Sequence, residues 1–496
     1  MKNIAIINAC ALSPYAHQSL PNGRSAFRMV LDFCRTLPEV EQIVCFANRT
    51  LPKEDGYRLI ERGDWNVQGL LGSMDELAGG YGNIFYMYGD CPLLSMEVAV
   101  RMYNNHLKYF SDYSFADGYP YGVAPEILNT RSLQAIRRLA GEGNGPVERE
   151  TLFDVIKKDI NAFNVETDIS PKDLRLLRVS LTADRKRNFL LLESLMQLKT
   201  LDVKSILGTI QDSPEKLRTL PSFFNFQVVE GCPQNCSYCP YPQMRNPSIG
   251  KQGEMDLDSF RKIVKQIKEY CEDGVLSVSL WGEPAFYSRP AELVDAVLDS
   301  SPLEMIIETA GIGWDRKVLE QIAEKALRGL RWIVSLDAWE EPVYKRLRGE
   351  GFRESVETAE VLDRLFPGRV YVQAVRMKEN EEDLEKFYRG WKKRTENLII
   401  QKYDHFCMKL QDRRVTDLSP LKRFPCWHLK RDMVILMDGR VPMCREDLEG
   451  VNILGNIRED GIEQVWERGC ALYEGHIRQD YPTICTHCDE YYTYNF

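Results

Sequence analysis

Apolar and polar positions follow two rhythms along this chain, and the changes between them divide it into segments. Near the N-terminus, apolar runs at Ile4–Ile7, Gln42–Phe46 and Asn83–Tyr88 read as buried strands, separated by helical patterns around Ser25–Leu37 and Met96–Tyr109. Buried strands alternating with helices predict a doubly wound α/β domain over residues 1–205. A helical stretch through Asp212-Ser-Pro214, running into Thr219-Leu-Pro221, predicts a proline-marked linker at 206–221.

From residue 222 the alternation becomes regular. An apolar strand at Phe224–Val229 is followed by helix Leu257–Tyr270, whose stripe runs through Phe260, Ile263, Val264 and Ile267. Then come strand Val275–Trp281, a helix near Ala291–Leu298, strand Met305–Thr309, helix Lys317–Ala326 and strand Trp332–Leu336. Helix Arg353–Leu365, strand Val370–Val375, helix Glu382–Lys393 and strand Leu398–Gln401 complete the series. Counting the first strand, there are six β/α repeats over 222–402, too few for an eight-stranded barrel and suited to an open, partial (β/α)6 barrel. Residues 403–496 form a smaller segment, with two short strands between Met433 and Met443 joined by an Asp438-Gly439 turn.

Composition narrows the classes. A chain of 496 residues with 44% hydrophobic and 28% charged residues reads as an ordinary globular protein of about three domains. The net charge of −9 and the lack of basic clusters argue against nucleic acid as substrate. Lys2 and Ile4–Ile7 loosely mimic a secretory signal, but the run is short and broken by Asn8, so a first strand and a cytoplasmic protein are expected. No stretch approaches the length of a membrane span.

Cysteine placement carries the chemistry. Seven of the fourteen cysteines fall into metal-type spacings, which suits a reducing compartment. Cys232, Cys236 and Cys239 lie on one loop directly after the first strand of the middle segment, spaced Cys-x3-Cys-x2-Cys. A fully protein-bound [4Fe–4S] cluster takes four thiolates, so three predict a cluster with one iron left open. Tyr238 stands where a ring could stack on a ligand beside that iron. A structural zinc site is the alternative, and it needs a fourth ligand that the neighbouring sequence lacks.

Cys-x3-Cys-x-aromatic-Cys after a first strand resembles the signature of the radical S-adenosylmethionine (radical SAM) enzymes, whose fold is the partial (β/α)6 barrel. The resemblance implies that SAM chelates the open iron and is cleaved reductively to a 5′-deoxyadenosyl radical, with electrons from a donor such as flavodoxin or ferredoxin. Trp281-Gly-Glu-Pro284 is similar to the family's Gly-Gly-Glu-Pro, which implies that Gly282 and Glu283 engage the SAM amino group; Trp281 replaces the first glycine. Thr309-Ala-Gly311 stands where the family often has Thr-Asn-Gly. By the same resemblance Ser335 is a ribose contact and Arg348 a contact to the SAM carboxylate, a role suited to a planar fork of donors. Asp337, Gln373 and Arg376 receive no role at this point.

Cys426-x12-Gly439-x4-Cys444, followed by Cys485-x2-Cys488, offers a second four-thiolate site; S4 donors suit zinc and iron–sulfur alike. The pattern, with Leu454-Gly-Asn-Ile457 and Ile462-Glu-Gln-Val-Trp466, resembles the SPASM domain and implies one auxiliary [4Fe–4S] cluster for electron transfer. Cys407 and Cys470 are possible substitutes among the ligands.

In the first segment, Tyr88-Gly-Asp-Cys-Pro-Leu-Leu94 places Asp90 at a strand end, where a carboxylate can hold a divalent ion against phosphates. With Asp112–Gly118, Tyr119-Pro-Tyr-Gly122, Glu126 and Leu181-Thr-Ala-Asp184, this resembles the cytidylyltransferase-like sugar-nucleotide enzymes. Ala9–Ser19 departs from their phosphate loop, having no glycine, lysine or arginine. The expectation is a non-catalytic copy, with Asp90 and Asp184 as solvated acids.

The three-part arrangement resembles the group called spiroSPASM proteins. It predicts a radical SAM/SPASM enzyme acting on a peptide or protein. A sugar nucleotide or other small molecule held by the first domain is a second possibility, and an iron–sulfur carrier without SAM cleavage is a third.

Overall fold

The computed structural model describes residues 2–51, 56–141, 145–241, 253–299, 301–325 and 328–493, so Ala326 of the expected third barrel helix lies outside the described residues. The chain forms two compact units, Met1–Thr219 and Leu220–Phe496. Among the described residues no helix is long and apolar enough to cross a membrane.

The first unit is built on strands β1 (Asn3–Ala9), β2 (Val40–Ala47), β3 (Arg58–Glu61), β4 (Asn83–Tyr88), β5 (Tyr113–Asp117), β6 (Glu126–Asn129) and β7 (Val165–Ile169), in the order β3-β2-β1-β4-β6-β5-β7. All pair in parallel except β6, which runs antiparallel between β4 and β5. Both faces are covered, as the unbroken apolar run of β1 requires: Ile4 and Ile6 enter one core, Ala5 and Ile7 the other. Side chains of Ser25, Asn66 and Ser95 cap helices Ala26–Thr36, Val67–Leu77 and Met96–Lys108. The chain winds one way from β1 to β2 and the other way to β4, which opens a crevice at their carboxyl ends. Helix Val203–Asp212 is packed into this unit, burying Val203, Ile206, Leu207 and Ile210 in its core.

In the second unit β8 (Phe223–Phe226) leads to the short antiparallel pair β9 (Val229–Glu230) and β10 (Gly253–Glu254). Then come β11 (Val275–Ser277), β12 (Glu304–Thr309), β13 (Leu330–Ser335), β14 (Val370–Arg376) and β15 (Leu398–Lys402). With β8 these form six parallel strands in the order β15-β14-β13-β12-β11-β8. A seventh, β16 (Asp432–Ile435), pairs in parallel with the free edge of β8. The hairpin expected between Met433 and Met443 therefore closes only at its tip, where Leu436 N–H donates to Arg440 O at 2.9 Å. The exposed edge of β8 claims β16, and β17 (Arg440–Pro442) pairs instead with β18 (Ile453–Asn456).

The inner face of the open barrel is layered. Phe223, Ile306 and Ile333 pack with Val275, Tyr371 and Ile399 at its base. Two residues further along each strand, Asn225, Ser277, Glu308, Ser335, Gln373 and Gln401 line a cavity at the carboxyl end. The strand period of two thus turns an apolar plug into a polar cup.

Candidate functional site

The cavity at the carboxyl ends of the barrel strands has a volume of about 260 Å³, and Cys232, Cys236 and Cys239 all line it. Their loop is pinned from two sides. Gly231, at φ 121°, pairs with Gly282 across an isolated bridge, and Glu283 N–H donates to Gly231 O at 2.9 Å. Helix Glu341–Arg348 ends against the loop, its last carbonyls taking Ser237 N–H (to Leu347, 2.8 Å) and Asn235 N–H (to Arg348, 3.2 Å).

The turn after β11 keeps the geometry a glycine would give. Trp281 adopts φ 51° although it is not glycine, and it packs with Leu280, Val434 and Leu436. At Gly282 no side chain fits, since a Cβ there would lie 2.1 Å from Val229 O. The buried Glu283 lines the cavity and accepts hydrogen bonds from Thr309 Oγ1 (2.5 Å), Ala310 N (2.7 Å) and Ala285 N (3.2 Å). Burial pushes its carboxyl up to about 7. The acid therefore ties the second strand end to the third.

Arg348 is buried, and Asp337 is fully so. Nη1 of Arg348 donates to Asp337 Oδ2 and, at 2.5 Å, to Tyr238 Oη, whose own hydroxyl donates to Asp337 Oδ2. Nε donates to Gln234 Oε1 at 3.0 Å. The guanidinium also lines the cavity and lies by the Tyr344 ring, its Cζ 5.8 Å from the centroid. Asp337 sits at φ 62°, held by Val375 N–H on Oδ1 (2.7 Å) and by Asn380 Nδ2 on its carbonyl (2.8 Å). The residue without a sequence-derived role is thus the anchor for both Tyr238 and Arg348.

Ser335 Oγ and Gln373 Nε2 both donate to Glu308 Oε1, at 2.9 and 2.8 Å. Glu308 was missed from the sequence and Gln373 was left without a face; the structure places both in the cavity, two residues beyond an inward apolar residue on their strands. Arg376 turns away and pairs with Glu381 at 2.6 Å.

The remaining wall comes from beyond β15. Lys402, Asp404 and Arg445 line the cavity. Lys402 pairs with Asp489 (3.0 Å) and Glu490, and Arg445 with Asp404 (2.8 Å), Glu446 (3.0 Å) and Glu490 (3.3 Å). Arg445 follows Cys444, and Asp489 and Glu490 follow Cys488, so this charged wall is continuous in sequence with the second cysteine group.

That group is compact. Cys426 starts helix Trp427–Arg431, Cys444 follows β17, and Cys485 and Cys488 share the turn Thr483–His487 and its cap. Cys426 and Cys485 pack with Leu429, Met443, Tyr473 and Tyr491, and Cys444 lies against them. Burial pushes the thiols of Cys426, Cys444 and Cys485 up, and the charge of their neighbours in the group adds to it. Cys407 stands beside Cys488, thiol to thiol, within a run of three left-handed residues, Phe406 to Met408.

Two sequence comparisons bear on this arrangement. Residues 226–389 match the family described as the radical SAM superfamily, and residues 426–489 match SPASM, an iron–sulfur cluster-binding domain. The chain belongs to the radical SAM superfamily and carries a SPASM domain. An uncharacterized protein of Treponema pallidum (strain Nichols) is 37% identical over 361 residues, which cover 70% of this chain and 98% of that protein. Among solved structures, Streptococcus suis SuiB bound to its precursor peptide SuiA is 14% identical, covering 53% of this chain and 68% of that one, with a TM-score of 0.42. Native anSMEcpe with bound AdoMet is 14% identical, covering 53% of this chain and 84% of that one, with a TM-score of 0.41. A cytidylyltransferase from Leptospira borgpetersenii is 16% identical over 44% of this chain and 96% of that one, with a TM-score of 0.36.

The cofactors of a radical SAM/SPASM chain are a [4Fe–4S] cluster, SAM and auxiliary iron–sulfur. The residues fit them. Burial raises all three loop thiols, that of Cys239 to about 12, so the pocket disfavours thiolates until a positive centre joins them. Among the described residues lining the cavity there is no histidine and no fourth thiol. Nor do any three of the motif thiols come within 4.8 Å of one another among the described residues. A single zinc would draw its four sulfurs to roughly 3.8 Å, from bonds of about 2.3 Å, whereas a cubane holds each thiolate on a separate iron.

Proposed function

We propose that this radical SAM/SPASM protein reductively cleaves SAM and uses the resulting 5′-deoxyadenosyl radical to modify a peptide or protein side chain. In this reading Cys232, Cys236 and Cys239 hold the SAM-binding cluster. Cys426, Cys444, Cys485 and Cys488 hold one auxiliary [4Fe–4S] cluster for electron transfer. When bound, the first cluster supplies the electron that breaks the carbon–sulfur bond of SAM.

The chain's own residues account for the rest. Gly282 lets the turn backbone lie close to the cysteine loop, and Glu283 fixes that turn and faces the SAM amino group. Arg348, positioned by Asp337 and Gln234, offers its guanidinium to the SAM carboxylate. Tyr238, held by its hydroxyl, keeps its ring beside the last cysteine. Ser335, with Glu308 and Gln373, receives the ribose. Lys402 and Arg445 line the cavity and hold the acids that follow Cys444 and Cys488, so they would carry positive charge beside the auxiliary cluster.

The observation that carries this reading is that three loop thiols, an anchored arginine and the charged wall next to the auxiliary cysteines share one cavity. The pairing of Asp90 and Asp184 with Arg149 leaves the sugar-nucleotide alternative without a metal site for its phosphates. We place the protein in the cytoplasm, with a flavodoxin or ferredoxin as electron donor.

The test is anaerobic incubation of reduced, iron-loaded protein with SAM. The expected product is 5′-deoxyadenosine, and deuterium should pass into it from a deuterated peptide substrate. Intact SAM in a protein carrying about eight irons would favour an electron carrier instead.

A further inference from the structure

The first unit carries two strand-end acids, Asp90 after β4 and Asp184 in the 181–184 segment, in the place where a divalent ion is expected. Neither is a free solvated acid, although the Asp184 side chain keeps 23% of its exposure. Asp90 is buried, and its segment is tied to that of Asp184 by Ala183 N–H donating to Asp90 O at 2.7 Å. Between the two carboxylates lies the guanidinium of Arg149. Nη1 donates to Asp90 Oδ1 at 3.1 Å and Nη2 to Oδ2 at 2.6 Å, a two-pronged clamp. Nη2 is also 3.3 Å from Asp184 Oδ2. Asp184 Oδ1 is taken by Thr182 Oγ1 (2.5 Å) and Asn188 Nδ2 (2.8 Å). All four carboxylate oxygens therefore have partners.

The arginine is itself held in place. Its Cζ lies 5.1 Å from the Tyr88 ring centroid and 5.2 Å from that of Tyr121, so two aromatic faces flank the cation. Tyr88 Oη donates to Glu148 O at 2.5 Å, fixing the backbone just before Arg149. The loop after β1 turns its amides inward: Cys10 N–H donates to Asn8 Oδ1 (2.9 Å), Tyr15 N–H to Ser13 Oγ (3.2 Å) and Gln18 N–H to Tyr15 O (3.2 Å).

We infer that Arg149 is a built-in cation standing where a divalent metal would bridge Asp90 and Asp184, so that the first unit binds no metal there. A guanidinium neutralises and links the two acids as an ion would, but it offers hydrogen-bond donors rather than a Lewis-acid coordination site. Any ligand of the adjoining cavity of about 420 Å³, walled by Tyr86, Tyr113, Phe115 and Phe153, is then bound without a bridging metal. The inference is independent of the chemistry assigned to the second unit.

The experiment is equilibrium dialysis of the full holoprotein against Mn2+, with bound manganese counted per chain. Wild type and Asp90→Asn are expected to take up the same amount. Arg149→Ala should gain one Mn2+ per chain, and Arg149→Ala/Asp90→Asn should lose it again. A wild-type Mn2+ that disappears in Asp90→Asn overturns the inference, as does a folded Arg149→Ala that gains none. If Arg149→Ala does not fold, the wild type and Asp90→Asn comparison still decides.

Discussion

Replacing Asp337 by Asn isolates the charge that positions Arg348. Asn has nearly the same shape and tolerates the left-handed backbone at φ 62°, and its Oδ1 still accepts Val375 N–H. What is lost is the negative partner of a guanidinium whose side chain is 6% exposed, while that of Asp337 is 0% exposed. Breaking one side of a buried pair costs about 3–5 kcal/mol, and the hydrogen bonds that Arg348 still donates to Tyr238 and Gln234 place this case at about 3 kcal/mol. At about 2–4 °C per kcal/mol for a unit of this size, the thermal midpoint of the second unit should fall by roughly 6–12 °C. The assay is anaerobic thermal unfolding of holoprotein by circular dichroism, paired with SAM binding. SAM affinity should drop as well, because Arg348 is free to swing. The double variant Asp337→Asn/Arg348→Met should recover part of the stability but none of the binding. A midpoint within about 2 °C of wild type, with SAM affinity unchanged, would refute the view that this pair anchors the site.

Cys232→Ala should lower iron from about eight to about four per chain and abolish 5′-deoxyadenosine formation, whereas Cys444→Ala should lower iron while the SAM-binding cluster remains detectable by paramagnetic resonance of the reduced protein. Gly282→Ala drives a Cβ to within 2.1 Å of Val229 O, so the turn must move; SAM cleavage should fall at least tenfold, with seven cysteines still available to iron. Glu126 in the first unit is pushed up to about 8, by burial. A carboxyl raised on folding binds more protons in the native state, so its stabilisation is lost as pH rises from about 4.5 to 8, up to ~5 kcal/mol as an upper bound. Unfolding of Glu126→Gln should show a shallower decline over that window, and parallel curves for the two proteins would contradict it.

Much of the second unit was legible in the chain because its signals are local. Three cysteines on one loop need no tertiary contact to define their spacing, and six β/α repeats announce parallel pairing through buried apolar runs. Gly282 and Glu283 were readable because a tight turn leaves a short motif. Glu308 and Gln373 were not, since a polar residue on a strand reads alike whether it faces a lumen or a helix layer. Asp337 was also undecided, as its role depends on Tyr238, 99 residues away in sequence.

The sequence by itself determined the strand and helix order and the two cysteine groups. These rest on periodicity, turn chemistry and spacing, which act over a few residues. Tertiary structure alone decided that β16 joins the barrel edge rather than its own hairpin, that Asp337 anchors Arg348, and that Arg149 fills the gap between Asp90 and Asp184. Each of those outcomes is a competition among distant groups for one partner, settled by burial: an open strand edge or an unpaired buried charge costs more than the local arrangement it displaces.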